Sequence, residues 1–171
     1  MLSRLAAVQT KSLNSQRGVL LAEIAVTALC LIGICTAVFL STNRLQSCYY
    51  KNQVRLAANL LAADIRELQQ ETIFTSAKST KTLTVASNDK QAYSVYNNVT
   101  GSTLDKRVSF IELGYQDVYF SQFLKSTSFY QNGSPKTSGK YLLRHKKLDK
   151  FFCQLSLQPV TGRVTVTENE G

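Results

Sequence analysis

Hydrophobic and polar positions divide the chain into three stretches with different periods. From Val19 to Ser41 the sequence VLLAEIAVTALCLIGICTAVFLS is apolar on every side, and Glu23 is its one charged residue. As a helix this segment reaches roughly 35 Å, enough for the ~30 Å hydrocarbon core of a bilayer. A helix in a soluble core keeps a polar face, so the segment predicts a membrane span. Further on, Val54, Ala58, Leu61, Ile65 and Leu68 recur at intervals of four and three. That spacing makes one apolar stripe of an amphipathic helix, whose other faces carry Lys51, Arg55, Asp64, Arg66 and Glu67. No glycine or proline falls between Gly33 and Gly101, so one helix is expected from Val19 to about Glu71.

Beyond Thr72 the period drops to two. Strands are expected over 82–86, 92–96, 108–113, 118–124, 140–144, 151–158 and 163–167. The clearest is the sixth, where Phe151, Cys153, Leu155 and Leu157 alternate with Phe152, Gln154 and Ser156. A Pro159-Val160-Thr161-Gly162 turn then leads into the last strand. The expected architecture is α+β: a long helix whose apolar stripe is covered by an antiparallel sheet.

Charge adds orientation and a puzzle. The chain carries 20 basic and 11 acidic side chains, a net charge of +9. Arg4, Lys11 and Arg17 precede the span and Arg44, Lys51 and Arg55 follow it, close to a tie by the positive-inside rule. The polar mass after the span favours a cytoplasmic N-terminus and an exported C-terminal domain. No small-x-small cleavage site follows the apolar run, and Leu29 and Ile34 stand where a lipoprotein signal needs small residues before Cys30 or Cys35. Glu23 is the puzzle. A carboxylate near a helix centre costs about 2.5–3.5 kcal/mol on insertion scales, less toward the interface. A cation supplied by another chain would relieve that cost.

Arg17-Gly18-Val19-Leu20-Leu21-Ala22-Glu23, followed by the apolar run, resembles the class III signal of type IV pilins and pseudopilins. The resemblance implies that a prepilin peptidase cuts between Gly18 and Val19 and that the new N-terminus at Val19 is methylated. Glu23 is then the fifth mature residue, which in that family contacts the amino group of a neighbouring subunit. Two poorly solvated opposite charges are worth more together than apart. Val19 departs from the phenylalanine most often found at the first mature position. The implied organisation is a leader over 1–18, a transmembrane half-helix over 19–41, an extracytoplasmic amphipathic half over 42–74 and a β-rich domain over 75–171, a pilin-like lollipop.

The run from Phe129-Tyr130-Gln131-Asn132-Gly133 to Thr161-Gly162-Arg163-Val164 is also similar to the end of minor pseudopilins of the GspH/FimT type and of competence pseudopilins of the ComGD kind. There a phenylalanine and a glycine precede a final hairpin ending in Gly-Arg-Val. Residues 75–124 are unmatched by either resemblance.

The remaining candidate chemistry is sparse. Cys30 and Cys35 sit about 140° apart around the span and do not face each other. Cys48 and Cys153 both fall in the exported part. They either form a disulfide stapling helix to final hairpin, or leave Cys153 as an ordinary buried strand residue. Lys140, Arg144, Lys146 and Lys147 form a candidate DNA-contact patch, with His145 among them and Tyr141 and Phe151 nearby. Basic residues mixed with aromatics suit a phosphate backbone and stacked bases. The plainer alternative is a solvated turn that blunts an edge strand with lysine. One histidine, no Cys-x-x-Cys or His-x-x-x-His spacing, no phosphate loop and no nucleophile elbow leave no expected catalytic residue, metal site or cofactor.

The sequence thus predicts a non-enzymatic minor pseudopilin of a DNA-uptake (competence) machine. Its expected partners are a prepilin peptidase, other pseudopilins of the same filament, the membrane through a single span, and DNA. The alternatives are a minor pilin of type II secretion or of a type IV pilus, and an uncleaved single-pass membrane protein with a β-rich binding ectodomain.

Overall fold

The computed structural model describes residues 2–75, 81–98 and 102–170, with side chains described from Glu23 onward among the helical residues. One α-helix, α1, runs Leu2–Phe74. It begins well before the expected Val19, because residues 2–17 contain no helix breaker and a single Gly18 costs only about 1 kcal/mol. It also runs three residues past the expected Glu71. Thr72 is buried there and its hydroxyl donates to the Leu68 carbonyl at 2.7 Å, so packing overrides the weak propensity of the last turn. Contacts divide the chain into two units, Met1–Gln46 and Ser47–Gly171.

In the second unit, α1 presents the expected stripe. Val54, Ala58, Leu61, Ile65 and Leu68 are all at most 2% exposed, and Ala57 and Ala62 widen the buried face. Eight strands follow, in two sheets rather than the expected one. The first sheet has the order β3-β2-β1-β5, from β1 (Lys81–Thr84), β2 (Ala92–Asn97), β3 (Thr103–Ser109) and β5 (Ser126–Thr127). The second has the order β4-β6-β7-β8, from β4 (Val118–Gln122), β6 (Gly139–His145), β7 (Phe151–Leu157) and β8 (Val164–Glu170). All described pairings are antiparallel.

A cluster of aromatic rings joins the two sheets. Phe110 and Phe120 lie 5.3 Å apart between centroids, and Tyr93 and Tyr141 pack against Phe120 at 6.5 and 6.1 Å. These four rings are at most 1% exposed, so the sheets share one core with the helix stripe. Ring pairs of this kind add to the area they bury.

β1 and β4 each stop two residues short of expectation, at Thr84 and Gln122, and three strands depart from it further. The strand expected over 108–113 lies instead at Thr103–Ser109, and residues 110–114 form a turn closed by Gly114, whose φ is +85°. β3 is an edge strand with five consecutive exposed residues, so no inward alternation marks it. β5, with two residues, leaves no periodic signal at all. β8 continues to Glu170, beyond the expected 167, because its acidic end faces basic residues of the helix.

Candidate assembly and partner surfaces

The helix from Glu23 to Gln46 is exposed on every side. Ile24, Leu29, Ile32, Phe39 and Leu40 are each at least 60% exposed, and the apolar window has a mean hydropathy of 2.4. It is long and apolar enough to cross a membrane. Its hydroxyl groups are already satisfied within the helix. Thr27 donates to the Ile24 carbonyl at 2.9 Å, Thr36 to those of Ile32 and Gly33, and Ser41 to that of Ala37. Glu23 is different. It has no hydrogen bond or ion pair among the described residues. Gly18 and Val19 belong to α1 by backbone, and their side chains lie outside the described residues.

The seam between α1 and the sheets is lined by charge. Arg55 makes a two-pronged contact with Glu168, its Nε and Nη2 donating at 2.8 and 2.6 Å, and Lys51 pairs with Glu170. On the opposite side Lys81 bridges Glu71 and Asp105, each at 2.9 Å. Asp64 departs from the sequence reading, which put it on the polar surface. It is 6% exposed, accepts from the Tyr93 hydroxyl at 2.7 Å and from Lys106 Nζ at 2.9 Å. Burial, then the hydrogen bond to Asp64, pushes the Tyr93 hydroxyl far above its ordinary pKa, so it stays a donor at all relevant pH. Three residues from Leu61 and four from Leu68, Asp64 sits at the border of the buried stripe, whereas Glu67 lies beyond it and is exposed. The partner of Asp64, Tyr93, brought from β2 of the same chain, completes the burial.

The residues of the second resemblance meet at one point. The Gln69 side chain donates through Nε2 to the carbonyls of Gly133 at 2.8 Å and Thr161 at 3.1 Å. Gly162 is held at φ +65°, and a Cβ there would run into the Gly133 carbonyl and the Gln69 amide, with the Phe129 ring at 3.2 Å. Phe129 is 1% exposed and Val164 is 5% exposed. The glycines, the phenylalanine and the valine thus lock helix end, loop 129–135 and final hairpin together. Gln69, the centre of the knot, carried no signal in the sequence, where it is one of two adjacent glutamines.

Of the two alternatives for Cys153, the structure shows the buried strand residue, and Cys48 and Cys153 are not bonded to each other. Both thiols are free, Cys48 exposed and Cys153 buried. Cys153 points into the core from β7, and burial pushes its thiol up to about 11. Helix and final hairpin are linked here by ions, since the cross-strand partner of Cys153 is Glu168, which Arg55 holds.

The candidate DNA patch is split by the strand geometry. Lys140 and Arg144 share the outer face of β6, whereas Lys146 and Lys147 lie in the following turn. Arg144 lies over the Phe152 ring at 5.2 Å, and Lys147 lies over Tyr50 at 5.2 Å with Asp117 3.7 Å away. The aromatics expected to stack on bases are unavailable, because Tyr141 and Phe151 are at most 3% exposed. His145 is also buried. It stacks on Tyr50 at 4.4 Å, its Nδ1 accepts the Lys147 N–H at 3.1 Å, and burial lowers its pKa. Among the described residues no group of three His, Cys, Asp or Glu is placed to hold a metal ion.

No family model matches the sequence, and no curated protein matches it. Solved structures do. The type IV minor pilin FimU of Pseudomonas aeruginosa PAO1 superposes with a TM-score of 0.52 at 16% identity, covering 68% of this chain and 89% of that one. The minor pseudopilin EpsH from the Type 2 Secretion System of Vibrio cholerae gives a TM-score of 0.53 at 8% identity, covering 67% of this chain and 96% of that one. At such identities the likeness is one of fold. The chain has the pilin-like α+β fold of type IV minor pilins and minor pseudopilins.

Proposed function

We propose that this chain is a minor pseudopilin, a non-enzymatic structural subunit inserted in the cell membrane with its N-terminus in the cytoplasm. A prepilin peptidase cuts it between Gly18 and Val19, Val19 is methylated, and the product is built with other pseudopilins into a short surface filament. The observation that supports this best is Glu23, a carboxylate with no partner among the described residues, on an apolar helix exposed on all sides, in a chain of pilin-like fold. In hydrocarbon that carboxylate costs about 2.5–3.5 kcal/mol near the helix centre. The ammonium of a neighbouring subunit's Val19 offsets the cost and sets the register of assembly.

Glu23→Ala tests the proposal. In the host the variant is expected to insert in the membrane normally, while its recovery with sheared filaments falls at least about tenfold. Normal recovery in filaments would refute the pairing.

The finer reading is DNA uptake. It is supported by the exposed Lys140, Lys146 and Lys147, and the burial of Tyr141 and Phe151 restricts it to phosphate contacts. Neutralising Lys140, Arg144, Lys146 and Lys147 together is then expected to abolish a salt-sensitive binding of DNA by the full chain. Type II secretion is the alternative setting, and the likeness in fold to EpsH speaks for it.

A further inference from the structure

The four sheet edges of the second unit are not equally protected. β5 is two residues long, β4 carries a bulge between Phe120 and Gln122, and β3 sets charged Asp105, Lys106 and Arg107 along its length. Short length, bulges and charge are the usual devices against unwanted strand pairing. β8 has none of them over its first half. It pairs with β7 in unbroken register from Val164 to Glu170.

That register fixes which backbone groups of β8 point outward. Gln158 N–H donates to the Arg163 carbonyl at 3.1 Å, so Arg163 belongs to the bonded set of the antiparallel ladder. The bonded and non-bonded positions alternate, which turns the N–H and C=O of Val164, Val166 and Glu168 away from β7. Arg66 Nη2 confirms the direction by donating to the Val164 carbonyl at 3.2 Å. Val166 keeps both backbone groups without a partner among the described residues.

Beside this edge lies an open groove of about 650 Å³ between β8 and the polar face of α1. Asn59, Gln70, Arg66 and Arg163 line it, and no lining residue is acidic. Elsewhere along the seam the basic residues Lys51, Arg55, Lys81 and Lys106 are each matched by a carboxylate. Arg66 and Arg163 have none among the described residues. An edge with free ladder groups, side-chain amides opposite it and two guanidinium groups lacking counter-ions is complementary to an extended acidic peptide.

We propose that the β8 groove is a strand-addition site that takes an extended, carboxylate-bearing segment of a neighbouring protein. The added strand pairs with the N–H and C=O of Val166, and its carboxylate side chains meet Arg66 and Arg163. Main-chain pairing supplies affinity and the two arginines supply selectivity for acid. That the neighbour is another filament subunit rests on the proposed function; the site itself does not.

The test uses the full chain in detergent micelles and a fluorescein-labelled heptapeptide alternating valine and glutamate, with its valine–lysine counterpart as control. Fluorescence anisotropy is expected to show saturable binding of the glutamate peptide and none of the lysine peptide. Arg66→Gln and Arg163→Gln should each weaken binding about tenfold, the effect of one charge-assisted contact. Val166→Pro removes the outward N–H together with the core-packed valine side chain, so it is read against Val166→Ala, which loses only the side chain. The alanine variant should bind as wild type does and the proline variant at least about tenfold more weakly, in protein shown to be folded by circular dichroism. Failure of the glutamate peptide to bind folded wild-type protein overturns the proposal. So does competition by free glutamate at the same carboxylate concentration, which would mean a simple anion site, and so does binding untouched by Arg66→Gln, Arg163→Gln and Val166→Pro. Any of these results leaves the Glu23→Ala experiment standing, and failure of that experiment leaves this one standing.

Discussion

Replacing Gly162 by alanine should damage the fold far more than its single added methyl group implies. Gly162 sits at φ +65°, a region that costs an alanine about 1–2 kcal/mol. The methyl group would also occupy space held by the Gly133 carbonyl and the Gln69 amide. Gln69 would have to leave, giving up its bonds at 2.8 and 3.1 Å to the Gly133 and Thr161 carbonyls. Each such bond is worth roughly 0.5–1.5 kcal/mol. Displacing the backbone of loop 129–135 would loosen the packing of Phe129 as well, so the whole change should cost roughly 3–5 kcal/mol. For a unit of this size that lowers the melting temperature by roughly 10–20 °C. Gly114→Ala is the matched control. Its φ is +85° but a Cβ there meets nothing within 4 Å, so only the backbone cost of about 1–2 kcal/mol applies. Thermal unfolding of the full chain in detergent, followed by near-ultraviolet circular dichroism, separates the two. Equal losses in Gly162→Ala and Gly114→Ala would refute the steric account of the Gln69 knot.

Other outcomes follow from the buried polar groups. Asp64→Ala leaves the Tyr93 hydroxyl buried without an acceptor and should cost about 1–3 kcal/mol in denaturant titration; adding Tyr93→Phe should recover most of it. His145, lowered by burial from its ordinary 6.5, is neutral in the fold but protonates in the unfolded chain. Its contribution is therefore complete above about pH 6.5 and is lost as pH falls below that value toward its folded pKa. Melting temperatures measured between pH 7 and pH 5 should decline, and His145→Phe should flatten the decline. In sealed vesicles with the β domain outward, an impermeant maleimide should label Cys48 and spare Cys153, whose thiol is buried and held at about 11, until denaturant is added.

What could be read in the sequence was whatever periodicity encodes. The stripe Val54–Leu68 and the alternation of β7 are consequences of one-sided burial, and both are in place in the fold. β3 and β5 were illegible for the same reason in reverse, one exposed over its first five residues and the other too short to alternate. Side-chain partners fared worse, because pairing depends on residues far apart in the chain. Asp64 borders the apolar stripe, but the hydroxyl of Tyr93 from β2, which satisfies its carboxylate when buried, could not be read from the sequence. For Cys48 and Cys153 the sequence left a disulfide and a buried strand cysteine as alternatives, and only the fold shows Cys153 buried and Arg55 with Glu168 linking helix to hairpin. The glycines at 133 and 162 were visible as parts of a motif. Their reason, close approach around Gln69, required the fold.

The central claim is that a cut after Gly18 supplies the amine that Glu23 of a neighbouring chain receives. Intact-mass measurement of the chain recovered from assembled filaments tests it most directly. The account predicts a species of residues 19–171 bearing one added methyl group on Val19. Filaments that contain the chain with Met1 still attached would contradict it.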